Sequence, residues 1–217
     1  MRYDLRVSAS YLVQKSAKDG FVPLTIFRNG DLMKVRLPVQ TERELVVPYL
    51  LAANPRYFIL GPLVFSQTTQ DYLERLGNQR PTTLSQRPSP LVTRRFDKPA
   101  FEGEELVVVS SPAFPHRITK GYDDPNRAVV SAVNGTPIKN LRHLVELIRD
   151  CQENQITIKF AKSGVLTHET MVFNRKDLLE STGKILEDNG IRYPYSADLR
   201  AVWEKSSAAV PKTAKGG

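Results

Sequence analysis

Cysteine is almost absent: the 217 residues contain one, Cys151, so an internal disulfide and a thiolate zinc cage are both excluded. Within a helical run it reads as a small buried apolar residue. Histidine is scarce as well, limited to His116, His143 and His168, and no two of them have the spacing of a metal-binding helix. No Gly-x-Ser-x-Gly or Gly-x-Ser-Gly-Gly run occurs. The strained turn of a Ser-His-Asp nucleophile is therefore missing, and no catalytic residue is expected in this chain. The acidic groups Asp123-Asp124 and Glu102, Glu104 and Glu105 lack calcium-loop spacing, and no Gly-rich phosphate loop precedes a helix. Neither a metal nor a cofactor is expected.

Long apolar runs are lacking too. The stretches Val46 to Ala53 and Tyr57 to Phe65 fall far short of the roughly 20 residues that cross a bilayer as a helix. Met1 to Arg6 lack the apolar core of a secretory signal, and localisation is left unknown.

What is present is ordinary globular composition, 41% hydrophobic and 25% charged, enough for one good core or a larger and a smaller one. The net charge of +8 raises the question of an acidic partner. The basic residues are scattered, however, with Arg80, Arg87, Arg94, Arg95 and Lys98 in a Pro/Ser-rich stretch and Lys205, Lys212 and Lys215 near the end. Solvated surface is the expectation, and nucleic-acid binding ranks a distant third among the functions considered.

An internal repeat organises the chain. Leu12-Val13 fall over Leu144-Val145, the alternating Val22, Leu24 and Ile26 over Ile156, Ile158 and Phe160, and Leu37 and Val39 over Met171 and Phe173. The turns Arg28-Asn29-Gly30 and Lys162-Ser163-Gly164 coincide with a small gap. Each copy reads as a helix followed by a β-hairpin. Leu141, Leu144, Val145 and Ile148 have helical spacing behind an Asn140 cap, and Asn29-Gly30 supplies the positive φ angles of a tight hairpin. Pro23 and Pro38 have no N–H to give a ladder, which points to edge strands.

Between the copies, Tyr57 to Phe65 is an apolar run broken at Gly61-Pro62, Glu105 to Val109 reads as a buried strand, and Arg127 to Val133 as another, turning at Asn134-Gly135. Only the second copy therefore has a complete set of elements. Residues 77 to 100 carry no periodicity and read as a long loop. Lys176 to Asp188 has helical spacing closed by Asn189-Gly190, and residues 201 to 217 read as a disordered tail.

Several segments are more specific than their elements. Gly61-Pro62-Leu63-Val64-Phe65, Thr119-Lys120-Gly121-Tyr122-Asp123-Asp124, Val133-Asn134-Gly135-Thr136-Pro137-Ile138-Lys139-Asn140-Leu141 and Ile185 to Ile191 through Leu199 resemble, in order, the second PDZ domain of Deg/HtrA (protease Do-like) serine proteases. Phe27-Arg28-Asn29-Gly30-Asp31 resembles the end of the PDZ domain before it. The resemblance implies an α+β fold: a PDZ-like, partly open antiparallel β-barrel or sandwich capped by helices at 44–200, preceded by an incomplete PDZ half-domain at 1–43.

The same resemblance implies a parent protein with an upstream trypsin-like domain. Members of the family are ATP-independent serine endopeptidases of protein quality control, assembled as homo-oligomers. This chain would then be a non-catalytic segment serving oligomer assembly or substrate gating; the alternative is a free-standing peptide-binding adaptor. By analogy its partners are protein or peptide segments joined by β-strand addition. The implied groove is Leu60, Gly61, Leu63, Val64 and Phe65 facing a helical wall of Leu141, His143, Leu144 and Val145. Pro62 departs from the pattern, because it removes one N–H from the loop that would hold a terminal carboxylate.

Overall fold

The computed structural model describes residues 9–39, 44–79, 89–162 and 169–205. The chain divides into two compact units, Met1–Arg43 and Glu44–Gly217.

The first unit is a helix α1 (Ala9–Ser16) and a hairpin of β1 (Phe21–Arg28) and β2 (Asp31–Pro38). The strands pair antiparallel from Phe21 with Pro38 to Arg28 with Asp31. Asn29 and Gly30 turn the corner at φ 54° and 92°, the positive pair that matches strand twist in a two-residue turn. Both strands are edges, which is how Pro23 and Pro38 are accommodated. Burial is meagre: Val22 is 2% exposed, whereas Leu12, Phe27, Leu32 and Leu37 are open to solvent.

The second unit begins its regular structure with β3 (Tyr57–Leu60), β4 (Leu63–Gln67), α2 (Gln70–Gln79) and a one-turn helix α3 (Pro90–Thr93). Then come β5 (Val107–Val109), a 3-10 turn at Arg117–Thr119, β6 (Val130–Val133) and β7 (Thr136–Pro137). The rest comprises α4 (Leu141–Asp150), β8 (Gln155–Phe160), β9 (Thr170–Asn174), α5 (Arg175–Asp188), a 3-10 turn at Ala197–Leu199 and α6 (Arg200–Trp203).

Three strands in the order β3-β4-β5 and four in the order β7-β6-β8-β9 form the sheets. The stretch before β6 links them, through a Val108–Val129 bridge and the bond from Val109 N–H to the Ala128 carbonyl at 2.9 Å. All pairings are antiparallel. The sheet curls from β3 round to β9 without closing, and α5 packs against both of those strands. This is the mixed α+β, partly open architecture that the sequence implied.

Alternation along β5 sorts side chains into two cores. Val107 and Val109 face the main core with Phe58, Phe65, Leu144 and Ile158, while Val108 faces a second cluster of Val46, Val47, Leu73 and Leu91. Asn140 caps α4, accepting from His143 N–H at 2.8 Å. The Asn134-Gly135 turn again has positive φ at both residues, 44° and 77°.

One expectation is corrected. Residues 77 to 100 are not loop throughout: Gly77 lies inside α2, and Ser89 accepts from Leu91 N–H at 3.3 Å to start α3. Leu91 is 1% exposed. A single buried leucine behind a Ser-Pro cap leaves no periodicity in the sequence, so this anchor was not legible there. Residues 80–88 lie outside the described residues, as does the tail beyond Lys205.

Candidate peptide groove

A PDZ groove needs a strand with a free edge, a helix beside it and a loop of amides at its head. The strand and the helix are where the sequence places them. Leu63 and Phe65 on β4, and Leu141, Leu144 and Val145 on α4, are fully buried and meet in the main core. Leu60 joins them at 1% exposed, Val64 is half-buried on the other face of β4, and Gly61 forms the turn before it. His143 is half-buried, and its Nδ1 accepts from Lys139 N–H at 3.2 Å, tightening the turn into α4.

The free edge is not there. On one side β4 pairs with β3, from Tyr57 with Ser66 to Leu60 with Leu63; on the other, Phe65, Ser66 and Gln67 pair with Val109, Val108 and Val107. Two further bonds extend that second side, from Ser110 N–H to the Val64 carbonyl and from Phe114 N–H to the Pro62 carbonyl, each at 2.9 Å. β4 is thus a central strand, and the expectation that it receives a peptide at an open edge is corrected on that ground. β3 runs antiparallel along β4 and ends at the Gly61 turn, which is the direction and position of an added strand. Phe58 of β3 is fully buried with its ring 5.0 Å from that of Trp203 on α6.

The head of the groove is filled too. Gly61 N–H donates to Thr182 Oγ1 on α5 at 2.6 Å, and the Thr182 hydroxyl in turn donates to the Leu178 carbonyl at 2.9 Å. Gly61 has φ +53°, and a Cβ there would lie 2.5 Å from Leu178 Cδ1. Residue 62 is proline with no N–H. No carboxylate-binding pair of amides remains in this turn.

Charge steadies the surroundings. Arg56, just before β3, binds Asp198 through Nε at 2.6 Å and Glu105 through Nη1. Burial works against the Arg56 cation, but Glu105 and Asp198 outweigh it and raise its pKa. The second Glu105 oxygen accepts from Leu141 N–H at 3.1 Å, so one carboxylate joins the approach to β5 to the start of α4. Glu104 holds Arg94 in a two-point pair, and that hydrogen bond keeps its carboxyl below the usual range. Arg94, Glu104 and Glu105 were expected to be solvated, and the sequence separation of these pairs gave no sign of the pairing.

The other polar candidates are used locally. His116 Nδ1 accepts from Ile118 N–H at 3.4 Å, and Asp124 accepts from Ala113 and Asn126 N–H. His168 lies outside the described residues. Among the described residues no group of three His, Cys, Asp or Glu side chains is placed to hold a metal ion, and no helix is long and apolar enough to cross a membrane. A cleft of about 930 Å³ lined by Tyr57, Tyr193, Tyr195 and Arg56 lies beside β3, outside the expected groove.

Residues 46–198 match the family model described as PDZ domain. The chain belongs to the PDZ domain family. It is similar to Protease Do-like 2, chloroplastic, of Arabidopsis thaliana, 28% identical over 89% of this chain and 30% of that protein. Protease Do-like 4, mitochondrial, from the same plant is 27% identical over 92% of this chain and 34% of its own length. A Serine protease DegP homolog of Plasmodium falciparum is 28% identical over 58% of this chain and 13% of its own. The chain thus spans about a third of the length of the plant proteins it matches, and the PDZ region of Do-like proteases is where it fits.

Proposed function

We propose that this chain is a non-catalytic PDZ segment of a Do-like, ATP-independent serine endopeptidase of protein quality control, acting in oligomer assembly or substrate gating. The observation that carries the reading is the filled groove: β3 takes the edge of β4 and Thr182 takes the Gly61 amide. A module in that state contributes surfaces rather than a standing receptor for free C-termini. The adaptor alternative requires β3 to leave, with Phe58 drawn out of the core.

Residues 1–43 belong to the same proposal as the back half of a second PDZ fold. Support comes from the repeat. Leu144, Ile158 and Met171 are at most 2% exposed, whereas their counterparts Leu12, Leu24 and Leu37 are 52%, 37% and 51% exposed. The helix and hairpin carry the same apolar pattern, and among the described residues of 1–43 no further strand covers it as the front strands do in the second unit.

Casein proteolysis tests the function, using the 217-residue chain alone and any longer reading frame that places a trypsin-like domain ahead of it. The segment alone is expected to leave casein intact. Deleting residues 44–205 from the longer protein is expected to change its oligomer size by light scattering, or its cleavage rate. Cleavage by the isolated chain that a serine-directed inhibitor blocks, or a deletion that alters neither readout, rejects the proposal.

A further inference from the structure

We infer that the outer edge of β9 is a second strand-addition site, closed by Tyr122 and suited to an extended peptide segment carrying a lysine or arginine. This rests on observations separate from the filled β4 groove. The bonds from Phe160 N–H to the Glu169 carbonyl at 2.8 Å and from Arg175 N–H to the Asn154 carbonyl at 2.9 Å fix which residues face β8. By alternation, Thr170, Val172 and Asn174 turn their backbone groups the other way. β9 is the terminal strand of its sheet, and a row of such groups is a template for pairing.

The middle position is plugged by one side chain. The Tyr122 hydroxyl donates to the Val172 carbonyl and accepts from Val172 N–H, both at 3.1 Å, so it performs both halves of what one residue of a neighbouring strand would do. Its ring is held 5.8 Å from that of Phe173. Thr170 and Asn174 flank the plug, within reach of an incoming strand once Tyr122 swings away.

Beside the edge lies a cavity of about 210 Å³, lined by Ile118, Val172, Phe173, Asn174, Asp177 and Leu178. Ile118, Val172, Phe173 and Leu178 supply its apolar lining, and Asn174, which caps α5, and Asp177 make the exposed lining at least as polar as it is apolar. An extended segment paired with β9 places alternate side chains toward α5, and this cavity takes a small one, such as valine, whose methyl groups meet Ile118, Val172 and Leu178. Lys176 pairs with Glu180, and the Asp177 carboxylate has no cation among the described residues. A basic side chain two residues away, on the same face of the incoming strand, answers it. Strand edge, adjoining helix and side-chain cavity are the parts of a β-augmentation site, here at the opposite end of the sheet from β4.

The experiment uses the full chain and a fluorescent, terminally blocked peptide, acetyl-Thr-Val-Thr-Lys-Thr-amide, followed by anisotropy and by amide NMR. Blocking both ends removes any contribution from carboxylate capture. Tyr122→Phe keeps the ring and deletes the plug, and is expected to tighten binding about fivefold or more, as befits removal of hydrogen bonds that must otherwise be broken. Asp177→Asn is expected to weaken binding of the same peptide, and methylating its backbone nitrogens to abolish it. Shifts are expected at Thr170 to Asn174. Equal binding by wild type and Tyr122→Phe, no binding by either at millimolar peptide, indifference to methylation, or shifts confined to Leu60 to Phe65 would each overturn the inference.

Discussion

Gly61 and Thr182 are joined by a hydrogen bond of 2.6 Å from the glycine amide to the threonine hydroxyl, which ties the turn before β4 to the middle of α5. The acceptor is a side chain on a helix distant in sequence, yet it stands where a peptide carboxylate would. Replacing it with the isosteric valine leaves a partly buried amide with no acceptor, at a cost of about 1–3 kcal/mol. Thr182→Val is expected to lower the urea midpoint without changing the slope of the transition. Thr182→Ser retains the acceptor and is expected to lose much less. Equal stability of all three proteins would show that water replaces the bond.

Gly61 itself is the more sensitive position. Its φ of +53° penalises any side chain, and Leu178, the atom a Cβ would strike at 2.5 Å, is fully buried and has little room to retreat. The left-handed backbone costs about 1–2 kcal/mol and overpacking about 1–3 kcal/mol, so Gly61→Ala is expected to destabilise by roughly 2–5 kcal/mol. Pairing it with Leu178→Ala makes the room, and a double-mutant cycle is expected to recover part of the loss. Strict additivity in urea denaturation would deny the contact.

Local patterns carried much of this fold into view. The Asn29-Gly30 and Asn134-Gly135 turns, the Asn140 cap, the helix over Lys176 to Asp188 and the break at Gly61-Pro62 all sit within a few residues of their own signals. Membership of the PDZ family was legible from the ordered motifs, and residues 46–198 match its model. What stayed hidden depends on partners far along the chain. Nothing in Tyr57 to Leu60 says that it will pair with β4 rather than lead into an open groove, because an apolar run suits either fate. Arg94 with Glu104, Arg56 with Asp198, and Tyr122 with Val172 are likewise matched only by the tertiary fold. Tyr122 lies in the motif Thr119 to Asp124, so its position was marked although its role was not.

Tyr72, on α2 against the second core, gives an alkaline signature. Burial is the largest cause raising its pKa, to about 12, with the nearby Arg127 cation opposing it. Its hydroxyl is buried without a hydrogen-bond partner among the described residues. A folded pKa above the unfolded value of about 10 means that the folded chain holds its proton where the unfolded chain has released it. Stability from this group is complete below pH 10 and falls as pH rises from about 10 toward 12, by at most roughly 3 kcal/mol. Tyr72→Phe is expected to flatten the unfolding free energy over that interval relative to wild type. Parallel pH profiles for the two proteins would exclude the effect.

The repeat makes a prediction about dynamics. β1 and β8 share an alternating pattern, but Ile156 and Ile158 are fully buried while Leu24 is 37% exposed and Val22 alone is covered. An isolated two-stranded hairpin is marginal in water, and amides open locally where few apolar contacts resist. Hydrogen exchange is therefore expected to be orders of magnitude faster at Val22 to Ile26 than at Ile156 to Ile158. Supplying a front half-domain in the longer protein is expected to slow the first set and leave the second unchanged. Equal protection in the 217-residue chain would show that the hairpin is already covered.

Displacing β3 is the energetic question behind any peptide binding at β4. Phe58 is fully buried and its ring packs on Trp203, the only tryptophan of the chain. Removing such a side chain from a core costs about 3–5 kcal/mol, and the ladder from Tyr57 to Leu60 must be exchanged for the peptide's own. Opposing terms of that size leave a free C-terminal peptide with weak net affinity, since every 1.4 kcal/mol spent on opening is a tenfold loss. A tetrapeptide with a free carboxylate is accordingly expected to leave Trp203 emission unshifted up to about millimolar concentration. Phe58→Ala is expected to lower stability, to red-shift Trp203, and to let the same peptide bind at lower concentration. A red shift in the wild-type chain at micromolar peptide would mean that β3 leaves readily, and it would favour the adaptor over the closed module.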